Sequence, residues 1–208
     1  MKYLYIEQEG VMFKRLICLI FTVLIAVPVF ADENTGCLSG EVKVFRARRS
    51  SDVVVYLTDV QGTFKPPENN PKMDQQNLIF IPHVLPVVVG TTIEFANSDN
   101  VKHNIYSPSK TKQFNLGTYG GDTVKQETFK KVGDIGLACN VHAEMSAYII
   151  VLPNPFFAKT GNHGKFTIEK IPPGQYTLKT WHEKKRPYEQ KVTVEAGKTA
   201  QIDIKLRR

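Results

Sequence analysis

The residues best suited to chemistry lie within one short run. Cys139-Asn140-Val141-His142-Ala143-Glu144-Met145 sets a thiolate, an imidazole and a thioether at intervals of three residues. A second imidazole, His103, stands 36 residues before the cysteine, where the polar turn Asn97-Ser98-Asp99 runs into His103-Asn104-Ile105. Two imidazoles, one thiolate and a distant thioether are the donor set of a blue-copper site: soft sulfur favours the reduced ion, and a trigonal arrangement suits both oxidation states. Each donor also has a plainer use. Cys139 could be a small buried hydrophobe or a disulfide partner of Cys37, and Met145 could fill a core. The joint occurrence with His103 is what favours ligation. Glu144 could offer an oxygen, but its expected place is in water. His83, His163 and His182 read as satisfied or solvated side chains. No His-x-His run or carboxylate cluster exists to build a second, catalytic metal centre, so an oxidase or reductase acting alone is not expected.

The elements that must position these donors read as strands. The chain has 208 residues, 42% hydrophobic and 23% charged, with 12 Pro and 14 Gly, and no long stretch of helical period. That composition is globular and favours an all-β fold. Period-two runs predict strands at Gly40–Phe45, Val53–Thr58, Leu78–Ile81, Leu85–Val89, Thr92–Asn97, His103–Ser107, Thr123–Phe129, Gly136–Cys139 and Ala147–Leu152. Four more follow at Gly164–Glu169, Gln175–Trp181, Glu189–Glu195 and Thr199–Leu206. Short strands at this spacing, with Gly, Pro, Asn or Asp between most of them, build sandwiches. Two breaks rich in turn residues, Gln61 to Gln76 and Pro153-Asn154-Pro155, divide the chain into three pieces and read as exposed connections.

The N-terminus is set apart from the fold. Lys14 and Arg15 precede fifteen apolar or small residues, Leu16 to Phe30, closed by Val29-Phe30-Ala31. This is the pattern of a secretory signal over residues 1–31, cleaved after Ala31, with Met12 a candidate start because Glu7 and Glu9 suit a signal poorly. As a helix the apolar run spans only about 22 Å, short of a hydrocarbon core of roughly 30 Å, so no stable membrane insertion is expected after cleavage. A periplasmic or secreted chain follows. Cys18 leaves with the signal, and the exported chain keeps Cys37 and Cys139. Cys37 lacks the leucine three residues earlier that a lipoprotein signal shows, and its role is open.

Two resemblances organise the exported chain. Gly40-Glu41-Val42-Lys43-Val44 and Val53-Val54-Val55-Tyr56-Leu57 resemble the opening strands of carboxypeptidase regulatory-like, transthyretin-like sandwiches. Gly164-Lys165-Phe166-Thr167-Ile168, Ile171-Pro172-Pro173-Gly174-Gln175-Tyr176-Thr177-Leu178, Val192-Thr193-Val194 and Ile202-Asp203-Ile204-Lys205-Leu206 resemble the rest of that family. In the Pro-Pro-Gly turn, proline presets φ and Gly174 is expected to supply a positive φ. Residues 37–61 and 155–208 then form one small prealbumin-like β-sandwich, because either piece alone buries too little surface to be stable. Residues 62–154 become an insert. Within it, Phe80-Ile81-Pro82, the run Val87 to Asn97, and His103 followed by the C-x-x-H-x-x-M loop resemble the cupredoxin family over roughly Met73 to Leu152. The loop length is most similar to amicyanin in the plastocyanin group. The resemblance implies a Greek-key sandwich with His103, Cys139 and His142 as equatorial copper ligands and Met145 as the weak axial one. It also implies that Asn104 bonds across to the ligand loop. The family's frequent aromatic two residues before the cysteine is absent here, where Gly136-Leu137-Ala138 stands.

Charge separates the two parts. Residues 62–154 hold eight Lys against eight acids, while the rest of the exported chain, residues 32–61 and 155–208, holds sixteen Lys plus Arg against ten, net +6. Arg46, Arg48, Arg49, Lys184, Lys185 and Arg186 are candidate patches for an acidic partner or an anionic surface, or simply solvated loops. The expected function is a one-electron carrier with a transient redox protein partner, docking near His142, and no nucleic acid. The competing readings are a copper-binding or copper-delivery protein and a metal-free binding or scaffolding module. Met-rich or His-rich exposed tracts, expected of a metal carrier, are absent.

Overall fold

The computed structural model describes residues 34–207. The signal segment, its cleavage position and the alternative start at Met12 lie outside the described residues. Among those described there are seventeen strands: β1 (Gly36–Val44), β2 (Val54–Thr58), β3 (Lys72–Gln76), β4 (Ile79–Ile81), β5 (Val84–Val88), β6 (Thr92–Phe95), β7 (His103–Ser107), β8 (Phe114–Tyr119), β9 (Lys125–Thr128), β10 (Gly133–Ala138), β11 (Ser146–Leu152), β12 (Phe157–Lys159), β13 (Lys165–Ile171), β14 (Gly174–Trp181), β15 (Glu189–Val194), β16 (Thr199–Gln201) and β17 (Ile204–Leu206). The fold is all-β, and among the described residues no helix is long and apolar enough to cross a membrane.

The strands form four sheets that pack in pairs. One pair sets β13-β1-β16, with β17 also on β1, against β12-β2-β14-β15. Its core is drawn from both ends of the chain, with Leu38, Val42, Val55 and Leu57 against Ile168, Ile171, Leu178 and Ile204. The other pair sets β5-β11-β10-β7-β8 against β4-β3-β6-β9. Met73, Ile93, Phe95, Ile105, Phe129, Ile135 and Ile149 fill its core, together with Cys139 and Met145. Alternation drives both: in β13 the inward Phe166 and Ile168 are buried while Lys165, Thr167 and Glu169 face water. A third, smaller cluster joins the sandwiches, with Val54 of β2 against Val84, Ile150 and Leu152 of β5 and β11, flanked by Tyr56, Tyr148, Phe157 and Trp181. Lys159 Nζ donates to the Val84 carbonyl across this contact at 2.9 Å.

Several expectations need correction. The run Thr199–Leu206 is two strands: Ile202 N still donates to Ser39 O at 2.8 Å, but at the next step the Asp203 side-chain carboxylate accepts from Glu41 N at 3.2 Å. The backbone passes so close there that a Cβ on Gly40 would stand 1.7 Å from the Ile202 oxygen. Gly174 is not left-handed; the positive φ nearby is at Lys170 (56°), inside β13 where its register against β1 shifts, while Tyr176 folds back so that its hydroxyl donates to Pro172 O at 2.8 Å. Asn154 is no exposed connection. It is 3% exposed, with its amide donating to Leu57 O at 2.9 Å and its oxygen accepting from Phe156 N at 3.0 Å.

Candidate metal centre

Three donors meet at one end of the β5-β11-β10-β7-β8 sheet. His103 opens β7, Cys139 follows the last residue of β10, and His142 lies in the turn from β10 to β11. β10 pairs with β11 from Gly133↔Val151 to Ala138↔Ser146 and with β7 through Ala138↔Tyr106. The sheet therefore fixes the cysteine beside the strand that carries His103. One ring nitrogen of each histidine and Sγ of Cys139 all lie within 4.8 Å of one another. His103 is 0% exposed and Cys139 4%; His142 is half-buried and forms the boundary with solvent. Met145 is 1% exposed, in the same core as Cys139, and its N–H donates to His142 O at 3.1 Å, closing the loop. Glu144 is exposed and outside the group.

Hydrogen bonding assigns the protons. His103 Nε2 is 2.7 Å from Asp99 Oδ2, and a carboxylate only accepts, so Nε2 carries a hydrogen, which in the neutral ring leaves the lone pair on Nδ1. His103 Nδ1 lies 3.0 Å from His142 Nδ1, which places the hydrogen of that contact on His142. Asp99 is itself tied down. Its Oδ1 accepts from Asn77 N at 2.6 Å and its Oδ2 from Leu78 N at 3.0 Å. Asn77 and Leu78, both at positive φ (55° and 60°), form the two-residue turn between β3 and β4. A leucine there opposes its own conformational preference, and the carboxylate holds both of the turn's N–H groups. Burial pushes the Asp99 carboxyl up, but the Leu78 N–H, the His103 ring and the Asn77 N–H outweigh it and leave it below the usual carboxylate range.

Asp99 thus links a hairpin turn to the histidine, a role the sequence reading did not assign, although an acid four residues before His103 in a polar turn was the available signal. Carboxylates that orient a ligating histidine set its tautomer and direction. Replacing Asp99 by Ala should release that constraint. Long-range proton–nitrogen correlation spectra of the metal-free protein should show His103 as the Nε2–H tautomer in the wild type and as a mixture in the variant. An unchanged pure tautomer in Asp99→Ala would remove Asp99 from this role.

One expectation changes at the site. The Asn104 amide does not reach the ligand loop: its Nδ2 donates to Asn115 Oδ1 on β8 at 2.8 Å, and its Oδ1 is buried without a partner. His83 is a bridge, with Nδ1 at 3.1 Å from Ser146 O and Nε2 at 3.4 Å from Glu183; His163 is exposed, and His182 Nδ1 accepts from Lys184 N at 3.0 Å. Cys37 and Cys139 are both free thiols. Cys37 sits in the other sandwich, where burial and the nearby Glu169 push its thiol up and the Thr199 hydroxyl partly offsets them.

The donor set suits a soft transition ion. Thiolate and two imidazoles with a thioether at the loop's end match copper, whereas zinc takes thiolate, imidazole and carboxylate rather than thioether. The sequence model of the carboxypeptidase regulatory-like domain matches residues 147–207, beginning inside β11. A search of curated proteins found no match. Among solved structures, the chain is similar to a copper-containing nitrite reductase from Thermus scotoductus SA-01, at 25% identity and TM-score 0.39 over 40% of this chain and 22% of that one. It spans less than a quarter of that reductase. It is also similar to a purple cupredoxin from Nitrosopumilus maritimus, at 22% identity and TM-score 0.36 over 40% of this chain and 100% of that one. The reduced form of an amicyanin mutant matches at 16% identity and TM-score 0.39 over 47% of this chain and 98% of that one.

Proposed function

We propose that this chain is an exported copper protein that carries single electrons and makes or breaks no bonds in a substrate. The observation that carries the reading is the convergence of His103, Cys139 and His142 in a buried group, with Met145 as the fourth, weaker donor. Copper bound by such a set supplies a reversible one-electron couple. The chain's own part is to hold the donors still. His103 is clamped by Asp99, and Cys139 and Met145 are packed among Phe95, Ile105, Leu137 and Ile149. A dry, packed surround lets the donors keep one arrangement through a change of charge and sets the potential.

Exchange with a partner runs through His142, the half-buried donor, beside Val141, which is 53% exposed. An apolar residue at the rim of a redox donor fits the small interfaces of transient electron-transfer encounters. Copper delivery is the less favoured reading, because three of the four donors are buried and a delivery site must hand its ion over.

Copper-loaded protein should take up one electron per site and return it, with the visible band bleaching and recovering over repeated cycles. Loss of the ion to a chelator each time the protein is reduced would replace the electron carrier with the delivery reading.

A further inference from the structure

A broad, open cavity lies in the other sandwich, where β1 and β17 end. It measures about 920 Å³ and is lined by Lys43, Arg46, Lys185, Lys205 and Arg207 with Val44 and Phe45. Five of those seven side chains are cationic, and none is acidic. β17 runs parallel to β1 with Val42↔Ile204, Lys43↔Lys205 and Val44↔Leu206 in register. Because Val42, Val44, Ile204 and Leu206 all point into the core, Lys43 and Lys205 stand side by side on the outer face, and Phe45 and Arg207 follow on the same face. Like charges placed next to each other on one sheet face repel.

Among the described residues, acids reach this group only at its edge. The one ion pair at its edge is Lys43 to Glu41, at a long 3.7 Å. Instead, a further cation is drawn in from a distant part of the chain: Lys185 Nζ donates to Phe45 O at 2.9 Å. Arg46, at φ 59°, lays its guanidinium 5.2 Å from the centre of the Phe45 ring, and that ring is 54% exposed. Solvated lysines and arginines would spread apart. Here segments around residues 43–46, 185 and 205–207 direct theirs into one concavity.

We infer that this cavity is an anion-binding site for clustered phosphate groups. Charge density selects phosphate over the carboxylates of an acidic protein segment. An extended peptide presents a side chain to one face only about every 7 Å, one charge each, so few carboxylates could enter. A phosphate group carries about −1.5 to −2 near neutral pH and several acceptor oxygens, and guanidinium forks bind phosphate in a bidentate manner. Two adjacent phosphates answer five cations. The ligand is a soluble oligophosphate or adjacent headgroups of an anionic phospholipid surface, which share the phosphate oxygens, each diester headgroup carrying less charge than a terminal phosphate.

The test is calorimetric titration of the full exported chain with inorganic tripolyphosphate at about 0.15 M salt. A Cys139→Ser background keeps exchange of copper with the ligand out of the signal. Saturable binding is expected, weakened about tenfold or more by Lys205→Gln with Arg207→Gln. Arg48→Gln with Arg49→Gln makes the same change in net charge outside the cavity and should leave binding in place. Sedimentation with vesicles of phosphatidylglycerol and phosphatidylcholine separates the sources. Binding that tripolyphosphate displaces assigns the site to a lipid headgroup; absence of sedimentation assigns it to a soluble phosphate. No saturable binding of tripolyphosphate overturns the inference, as does equal weakening by both double variants, which would reduce the effect to the overall field. Tighter binding of octaglutamate than of tripolyphosphate would also overturn it, in favour of an acidic protein segment.

Discussion

Copper-loaded Cys139→Ser protein loses the intense thiolate-to-copper absorption in the visible while the rest of the fold persists. The substitution changes one buried atom, because serine is nearly isosteric with cysteine and Cys139 already sits at the polar end of the core beside two imidazoles. The hydroxyl in place of sulfur costs about 1 to 3 kcal/mol if it finds no partner, which a domain of ordinary stability survives. Its effect on the metal is far larger. A hydroxyl is a hard and weakly acidic donor, so both the soft contribution and the charge-transfer transition disappear. Visible and paramagnetic resonance spectra of wild type and variant, each loaded with one equivalent of copper, decide the matter. A band of equal intensity in the variant would mean that the thiolate is elsewhere, and the electron-carrier proposal would lose its centre.

What the sequence revealed of this site follows from the kind of information each residue carries. Cys139 and His142 are legible as members of the His/Cys/His group because a thiol and an imidazole at this spacing on one loop, followed by a thioether, are rare by chance. His103 joins them because it opens an apolar strand after a polar turn. Asp99 was hidden for the opposite reason: an acid in a turn looks solvated until the β3–β4 turn is folded against it, and only then do the N–H groups of Asn77 and Leu78 fix its orientation. The same limit explains the two strands missed in this sandwich. β3 reads Lys72-Met73-Asp74-Gln75-Gln76, and its second inward residue is Gln75. That amide is buried because its Nε2 donates to Ala96 O at 2.9 Å and to Tyr119 Oη at 3.0 Å, partners 21 and 44 residues away. β8 includes Asn115 and Gly117 and lies at the sheet edge, where one flank needs no apolar cover. Strands with both inward residues apolar, such as β13, could be read directly; strands that satisfy a buried polar group across the fold could not.

The second large effect concerns the proposed division of the chain, in which residues 37–61 and 155–207 form one sandwich around an insert. Deleting residues 37–61 should abolish cooperative unfolding of that sandwich. The deletion removes β1, which lies between β13 and the β16 and β17 strands, and β2, which lies between β12 and β14, so both sheets lose an interior strand. It also removes Leu38, Val42, Val53, Val55 and Leu57, all 0% exposed. At about 2 kcal/mol for each side chain, roughly 10 kcal/mol is lost, comparable with the whole stability of a domain at 5 to 15 kcal/mol. The copper module contains all four proposed donors and should respond differently. In the same deletion protein the visible copper band should survive, while amide exchange and proton spectra show residues 157–206 unprotected and poorly dispersed. Joining 37–61 directly to 155–207 by a short flexible linker should restore the sandwich, since closing a short loop costs little. That product would self-associate, because Val54, Tyr56, Phe157 and Trp181 lose the cover that Val84, Tyr148, Ile150 and Leu152 give them. A C-terminal segment that unfolds normally without residues 37–61 would end the split-domain reading, because a sheet cannot lose an interior strand from each layer and keep one cooperative core.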